Sequence, residues 1–233
     1  MKKFFLTVTC LLAVVVLNAQ SLEEIVKNYT SANNLDQLSK MKTVKITASM
    51  SMMGMDVPMV LWMKNPDKIK TVMNIQGQEI ISAFDGEKGW VVNPMQGSPE
   101  PQEMSMDQVK QTENNNVFVN NVKQFLSNGQ LTLVGEEAVN GSPAYKLKAT
   151  PDGTNEILLY IDKSTYRLVK TSTTVNQQGM SMTVDSYPSD YKQVNGVYLP
   201  MKTTSNMNGM DIVQTFTNIE FDIPMEDSLF KQP

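Results

Sequence analysis

The sequence predicts a mainly β protein with some helix (α+β), folded as an incomplete antiparallel β-barrel of about ten or eleven strands with helical lid elements. Three observations lead to this fold class. Apolar and polar residues alternate with a period of two over much of the chain. Turn dipeptides such as Gln76-Gly77, Asn140-Gly141 and Asn195-Gly196 separate the alternating runs, and their residues tolerate the positive φ that hairpin turns need. Helical periodicity is confined to two places, so the strands should be joined by hairpins rather than crossovers.

The first nineteen residues read as an export signal. Lys2 and Lys3 precede an apolar run over residues 4–17, which is followed by Asn18-Ala19-Gln20, so we expect cleavage after Ala19. The run is shorter than the roughly 20 residues that span a bilayer. Cys10, the only cysteine, lies inside the run, whereas a lipid-attachment cysteine should stand at its end. We therefore predict a periplasmic protein consisting of a signal peptide, residues 1–19, and one domain, residues 20–233.

The composition argues against several classes of function. The chain has 20 Lys and Arg, 24 Asp and Glu and no histidine, which removes histidine-dependent nucleophilic sites and ordinary zinc sites. Basic residues form no cluster longer than a pair, so nucleic acid is not an expected partner. The acidic pair Glu136-Glu137 would point to opposite faces of a strand and could not share a substrate. We expect no catalytic residues, no metal and no cofactor, and hence no enzyme.

The elements follow in order. Leu22, Ile25, Val26 and Tyr29 recur at helical spacing behind a Ser21 cap, so a helix should begin the domain. After about residue 40 the period changes to two, and three strands follow, with turns at Gly54 and at 65–67. A segment rich in Pro, Gln and Glu then leads into a helical insertion over 106–110 and 117–126. A curved sheet whose open face is covered by helices can enclose an apolar ligand.

Two phrases in the first half of the chain resemble the LolA family of outer-membrane lipoprotein carriers. They are Trp62-Met63-Lys64-Asn65-Pro66 and the run from Asp85-Gly86 through Trp90 to Asn93-Pro94, in matching order and spacing. The resemblance is strongest over residues 61–95 and looser in the second half, at 160–167, 194–200 and 227–230. It implies a LolA/LolB-like incomplete barrel that binds the acyl chains of lipoproteins. It also implies an inner-membrane ABC transporter and an outer-membrane acceptor as partners, and we expect a monomer.

The resemblance places a ligand cavity on the alternating strands and the helical insertion. Its predicted lining consists of Ile46, Ala48, Met50, Met59, Leu61, Met63, Ile69, Met73, Phe84, Trp90, Val92, Phe118, Val122 and Phe125. The abundant methionines allow three interpretations: a cavity lining that repacks around acyl chains, a filler of an irregular core, or a soft-metal site for Cu(I). The chain has no histidine, and its only cysteine, Cys10, lies in the predicted signal peptide, so the metal site is disfavoured.

One residue departs from the family pattern. Asn65 stands where the family has an arginine that is associated with the lid and with release of cargo. An asparagine amide lacks the charge and most of the hydrogen-bond donors of that arginine. The departure therefore puts the release of cargo in question. The expected function is a periplasmic carrier or chaperone for lipoproteins bound for the outer membrane. The alternatives are a LolA-like lipid-sensing or protein-interaction module without shuttle activity, and a structural domain with a filled, dry core.

Overall fold

A computed structural model of the chain describes residues 20–113, 122–151, 156–177, 180–207 and 209–232. The predicted signal peptide, residues 1–19, lies outside the described residues. The described strands form a 13-stranded antiparallel sheet in the order β6-β5-β4-β3-β2-β1-β13-β12-β11-β10-β9-β8-β7. The strands are β1 Thr43–Met52, β2 Met55–Lys64, β3 Lys68–Ile75, β4 Gln78–Phe84, β5 Gly89–Asn93, β6 Ser98–Glu103, β7 Leu131–Val139, β8 Ser142–Ala149, β9 Glu156–Asp162, β10 Leu168–Gln177, β11 Met180–Val194, β12 Val197–Met207 and β13 Met210–Phe221.

This strand order describes two meanders joined along one seam. Strands β1–β6 run outward on one side, strands β13–β7 on the other, and β1 pairs with β13 between them. β6 and β7 are the two edges and, among the described residues, do not pair with each other, so the sheet stays open. The predicted incomplete antiparallel barrel is confirmed.

The hairpins follow from the turn dipeptides. Gln76-Gly77, Asn140-Gly141 and Asn195-Gly196 each have positive φ at both residues, between 48° and 85°. Both central residues of a type I′ turn need positive φ, and that turn matches the twist of two adjacent strands. Each hairpin therefore closes where the sequence predicts it.

The strand count is higher than the ten or eleven expected, and β6 is one strand that the alternation did not reveal. Its sequence, Ser98–Glu103, contains Pro99 and Pro101, which lack the amide hydrogen that a central strand needs. At the edge of the sheet β6 pairs only with β5, so the prolines are tolerated there. The segment rich in Pro, Gln and Glu thus forms one edge of the sheet.

The helices are α1 Leu22–Asn33, α2 Leu35–Leu38, α3 Met106–Glu113 and α4 Val122–Ser127, with short 3-10 turns at Pro94–Gln96 and Asp227–Phe230. The Ser21 cap is confirmed, because its side chain accepts a hydrogen bond of 3.2 Å from the Glu24 amide. The helical insertion is also confirmed within the described residues: α3 and α4 stand between edge strands β6 and β7. No described helix has the length and apolar character needed to cross a bilayer.

Candidate functional site

One face of the sheet carries the apolar residues of β1 and β2, and we call it the inner face. Residues paired across an antiparallel ladder share a face, and side chains alternate along each strand. The row Val44, Met63, Ile69 and Phe84 crosses β1 to β4 on this face. Lys45, Trp62, Lys70 and Ala83 form the neighbouring row on the other face, which we call the outer face.

Most of the predicted lining residues meet in one cluster on the inner face. The buried members are Ile46, Ala48, Met59, Leu61, Met63, Ile69 and Phe84, and Met50 and Met73 pack against them half-buried. Side chains from β11, β12, β13 and α3 complete the cluster, namely Val194, Leu199, Met201, Phe216, Ile219, Phe221 and Val109. We call this set the inner cluster. The fully buried members pack on one another, since Met59, Leu61 and Met63 are only 5%, 6% and 1% exposed.

The two predicted residues on α4 belong to a different cluster. Val122 and Phe125 pack with Ile25 and Val26 of α1 on Leu147, Leu159, Ile161 and their neighbours. Those strand residues share the inner face, but they lie on β8 and β9, at the opposite side of the sheet from β2. Helices α1 and α4 therefore cover one half of the inner face, and the predicted site does not extend as one surface beneath them.

A polar seam separates the two clusters. Between β9 and β13 the inner face carries Thr171, Ser186, Thr203 and Ser205, following the ladder pairs. The hydroxyls of Ser186 and Ser205 lie 2.7 Å apart and share a hydrogen bond. Hydroxyls that are satisfied across the strands can stay half-buried at small cost. The inner cluster, on β1–β4 and the adjoining parts of β11–β13, is thus separate from the cluster beneath α1 and α4.

Trp90 and Val92 correct the prediction, because both lie on the outer face. Phe84 pairs with Gly89, so Gly89 takes the inner position on β5 and Trp90 pairs with the outer residue Ala83. Val92 pairs with Ile81, which continues the outer row through Val72. The parity across the loop at 85–88 decides this, and the alternation within β5 alone does not reveal it.

The remaining predicted positions are Phe118 and Asn65. Phe118 lies outside the described residues. Asn65 is exposed, and its side-chain amide donates a 3.2 Å hydrogen bond to the Met41 carbonyl, while its backbone amide donates to the Lys42 carbonyl. These bonds tie the end of β2 to the segment that enters β1. The described partners of Asn65 are therefore backbone groups at the rim of the sheet and not groups on the helices.

Helix α3 presses on the inner face at Gly89. A Cβ added to Gly89 would lie 2.7 Å from Met104 Sδ and 3.0 Å from Val109 Cγ2, so a side chain larger than hydrogen does not fit without movement. The Met104 amide donates a 2.8 Å hydrogen bond to the Gly89 carbonyl. Further along the helix, the Thr112 hydroxyl lies 3.3 Å from the Ser82 hydroxyl. Among the described residues, α3 and the segment before it are held to β4 and β5 by these hydrogen bonds and by the packing of Val109.

The C-terminal segment closes one end of the sheet. We name the two ends by their first turns: β1 passes into β2 at the Gly54 end, and β2 passes into β3 at the Pro66 end. Residues 222–230, the C-terminal strap, cross the Pro66 end. Asp222 Oδ1 accepts from the Lys42 amide at 2.7 Å, and the Ile223 carbonyl accepts from the Thr43 hydroxyl at 2.7 Å. Phe230, fully buried, ends the strap.

Lys64 holds the strap by two contacts. Its ammonium group donates to the Met225 carbonyl at 2.9 Å and to Asp227 Oδ1 at 2.6 Å, while Lys68 Nζ lies 3.8 Å from Asp227 Oδ2. The hydrogen bond from Lys64 is the main reason that the pKa of Asp227 lies below its usual value. Lys64 and Asp227 belong to two of the phrases that carry the family resemblance. The sequence does not predict that these two residues pair across the fold.

A buried carboxylate, that of Asp162, organises the turn after β9. Asp162 Oδ1 accepts hydrogen bonds from the amides and hydroxyls of Ser164 and Thr165, at 2.7 to 3.1 Å. Burial alone would raise the pKa of Asp162, but these hydrogen bonds outweigh it and the pKa lies below its usual value. This carboxylate is saturated by its own turn, so its role is structural.

A polar groove of about 510 Å³ lies on the outer face, lined by Thr183, Asp185, Tyr187, Thr204, Asn206 and Asp211. Asp185 pairs with Lys170 at 2.8 Å, and Asp211 accepts from the Asn206 amide at 2.7 Å. Its lining is unsuited to an acyl chain, because it offers charged and polar groups rather than apolar surface. Within the described ranges, no cluster of three or more His, Cys, Asp or Glu side chains is arranged to hold a metal ion.

An open antiparallel sheet with one apolar face, and with helices packed on that face, defines the class of incomplete β-barrels. The chain matches, over residues 101–233, a family model described as "Uncharacterized protein", and it belongs to that family. The match covers more than half of the sequence. No curated protein matches the chain.

Solved structures show which incomplete barrel this is. A LolA superfamily protein from Nitrosomonas europaea is similar with a TM-score of 0.61 at 15% identity, covering 92% of this chain and 99% of that chain. A domain described as an outer membrane lipoprotein-sorting protein domain, from Vibrio parahaemolyticus, has a TM-score of 0.61 at 13% identity. That match covers 89% of this chain and 94% of the domain. A DUF1329 family protein from Desulfovibrio piger has a TM-score of 0.58 at 15% identity. That match covers 88% of this chain and 97% of the other chain. The chain has a LolA-like fold, which confirms the resemblance seen in the sequence.

Proposed function

We propose that this protein is a periplasmic carrier that binds the acyl chains of lipoproteins on its inner cluster and conveys them toward the outer membrane. In this proposal residues 1–19 direct export and are removed, and residues 20–233 form one carrier domain that acts as a monomer. An inner-membrane ABC transporter would load the carrier, and an outer-membrane acceptor would unload it. The LolA-like fold supports this choice, and the chemistry of the inner cluster carries the argument further.

The observation that carries the proposal is the composition of the inner cluster. Met50, Met59, Met63, Met73 and Met201 lie on the inner face of β1, β2, β3 and β12, and Leu61 and Ile69 belong to the same cluster. Methionine is unbranched and polarisable, so it can change rotamer to accommodate a flexible chain at little cost. The surface is apolar, and the Gln214 side-chain amide beside it lies 3.6 Å from Met59 Sδ.

Loading requires the inner cluster to open, because its central side chains are packed on one another. Burial of an acyl chain returns about 0.8 kcal/mol per methylene, so a chain of about sixteen carbons supplies on the order of 10 kcal/mol before ordering costs. That energy is available to move methionine side chains and to displace α3. Since the affinity comes from burial and not from hydrogen bonds, we expect little discrimination between lipoproteins of equal acyl content.

Helix α3 is the element best placed to act as a lid. Val109 packs against the inner cluster, and the helix is held near Gly89 and Ser82 by the few contacts described above. Helices α1 and α4, by contrast, bury Ile25, Val26, Val122 and Phe125 in a cluster of their own. Displacing α3 therefore exposes the inner cluster without dismantling the core beneath α1 and α4.

Substitutions on the two faces of β2 test the proposal. Leu61→Glu and Met59→Glu place a charge on the inner cluster and should abolish binding of a fluorescent acylated peptide, because an unpaired carboxylate in an apolar site is strongly disfavoured. Val60→Glu is the matched control, since Val60 lies on the outer face between Thr47 and Val72. Ala48→Phe, which fills volume without adding charge, covers the case in which a glutamate variant does not fold.

Circular dichroism and thermal unfolding identify the folded variants. The proposal predicts that folded Val60→Glu binds the peptide like the parent protein and that folded Ala48→Phe binds at least about tenfold more weakly. A parent protein that is folded yet takes up no acylated peptide would contradict the carrier proposal. That result would favour the alternative of a filled, dry core.

A further inference from the structure

We propose that acyl chains enter the inner cluster from the Gly54 end, across a methionine rim formed by Met53, Met55 and Met210, and that the head of the cargo stays outside at that end. This inference rests on the proposed carrier function and specifies the route and the orientation of the ligand. Its first support is a gradient of exposure along β2. The inner-face residues Met55, Val57, Met59, Leu61 and Met63 are 46%, 9%, 5%, 6% and 1% exposed.

The gradient shows that the apolar track is open at the Gly54 end and closed at the Pro66 end. Met53 in the β1–β2 turn is 76% exposed, and Met210 at the start of β13 is 39% exposed. Met52 pairs with Met55 across one ladder and with Ile212 across the other, so the two hairpin tips are neighbours in the sheet. Exposed methionines that continue a buried apolar surface provide an adaptable contact for a flexible chain.

The opposite end is tied shut. The C-terminal strap binds Lys42, Thr43 and Lys64 across β1 and β2, as described above. On the other half of the sheet, the Asn33 amide donates to the Tyr166 carbonyl at 2.8 Å, and the Asn34 amide donates to the Gly196 carbonyl at 2.9 Å. A chain entering from the Pro66 end would have to break these bonds, whereas one entering from the Gly54 end first meets exposed methionine side chains and leaves these bonds intact.

The charges of the turns at the Gly54 end indicate which peptide, attached to the acyl chain as its head, the methionine rim accepts. The turns at 52–56, 75–79, 93–98 and 209–212 lie at the Gly54 end and contain no Lys or Arg in the sequence. They carry Asp56, Glu79 and Asp211, all exposed. An anionic head is therefore repelled at this end, and a neutral or cationic peptide attached to the acyl chain is favoured. The cargo that fits is an acylated peptide with neutral or basic residues next to its lipid.

The orientation is tested with a quencher on the head of the ligand. Cys10 is the only cysteine and should be lost with the signal peptide, so the processed protein accepts a single introduced label. A fluorophore is attached to Met53→Cys at the Gly54 end or to Glu87→Cys, an exposed loop position at the Pro66 end. The ten residues of β2 separate the ends by about 30 Å. The ligand is a palmitoylated peptide with a quencher at its peptide end.

The predicted result is strong, saturable quenching at position 53 and weak quenching at position 87. Equal quenching, or stronger quenching at 87, would overturn the proposed route while leaving the carrier function intact. Absence of saturable binding to either protein, measured by calorimetry with the unlabelled parent, would overturn both proposals. The two failures are therefore distinguishable.

The charge preference is tested by rates. Palmitoylated peptides carrying two lysines or two glutamates next to the lipid are compared in stopped-flow association with the parent protein. The lysine peptide should associate several-fold faster at low salt, with the difference shrinking as salt screens the rim. Neutralising the rim with Asp56→Asn and Asp211→Asn should remove most of the difference. Equal rates for the two peptides at low salt would overturn the assignment of a neutral or basic head.

Discussion

Lys64 Nζ lies 2.6 Å from Asp227 Oδ1, although the two residues are 163 positions apart in the sequence. This contact joins the end of β2 to the 3-10 turn that finishes the C-terminal strap. It also places two phrases of the family resemblance in direct contact. The strap closes the Pro66 end of the sheet, so the pair helps to determine which end of the apolar track is open.

We expect Asp227→Asn to loosen the C-terminal strap without unfolding the protein. Asp227 is 55% exposed, so its ion pairs with Lys64 and Lys68 are solvent-screened and their loss should be felt locally. Hydrogen exchange of residues 222–230 should become faster, and exchange in β2 should change little. The matched control is Asp36→Asn, which breaks an exposed pair with Lys123 on the helices. Unchanged exchange in the strap would contradict the role assigned to this pair.

The same contact predicts a pH dependence. The pKa of Asp227 is lowered in the folded protein, mainly by the hydrogen bond from Lys64. Its stabilising contribution is therefore present above the unfolded-state pKa of about 4 and is lost as the pH falls through the lower folded-state pKa. Strap exchange in the parent protein should become faster below about pH 4, and Asp227→Asn should not show this step.

Asp162→Ala should destabilise the whole fold by about 2 kcal/mol or more. The substitution removes the acceptor of the hydrogen bonds from Ser164 and Thr165 and leaves their amides without it. The folded-state pKa of Asp162 is also lowered, so the loss should be fully present at neutral pH and should shrink as the pH falls below about 4. Urea unfolding at pH 7 and at pH 3 measures both effects. An equal loss at the two pH values would contradict the assigned charge state.

Gly89→Ala should cost about 1 kcal/mol and should loosen α3. The new methyl group would stand 2.7 Å from Met104 Sδ and 3.0 Å from Val109 Cγ2, so one of these side chains must move. Met104→Ala removes the closest atom, and the double variant should be more stable than the sum of the two single losses predicts. Denaturant unfolding of the four proteins completes the cycle. Strict additivity would show that Met104 does not press on Gly89.

Asn65→Arg should leave acyl-chain binding within about twofold of the parent protein. Asn65 is exposed at the Pro66 end, and its amide bonds to the Met41 carbonyl rather than to a lid helix. The substitution should also accelerate transfer of bound acylated peptide to acceptor vesicles, because the arginine of the family is associated with release of cargo. Transfer and equilibrium binding are therefore measured on the same preparation. Unchanged transfer would remove Asn65 from any account of release.

The sequence predicts the inner cluster on β1 and β2 because apolar residues alternate with polar ones along β1, and every second residue of β2 from Val57 to Met63 is apolar. Two-residue periodicity carries that information within a strand and across a tight hairpin. It does not pass through the loop at 85–88, and so Trp90 and Val92 were placed on the wrong face. The pairing of Phe84 with Gly89 settles their orientation, and Gly89 has no side chain that would signal it.

The division of the site into two clusters depends on contacts between distant segments. Val122 and Phe125 have the helical spacing that predicts an apolar stripe, but the stripe does not identify the strands beneath it. They pack on β8 and β9, whereas Val109 of α3 reaches the inner cluster. Lys64 and Asp227 present the same difficulty, since an ion pair between remote segments leaves no local pattern. Local periodicity thus predicts the surfaces, and the tertiary fold decides which surfaces meet.

Methionine methyl resonances give the most direct test of the carrier account. The protein is labelled with ¹³C at its methionine methyl groups and titrated with a palmitoylated peptide without detergent. The account predicts that the resonances of Met59, Met63 and Met73 on the inner cluster shift and saturate together, while that of Met225, in the C-terminal strap at the closed end, changes little. Inner-cluster resonances that stay unchanged at saturating peptide would contradict the account.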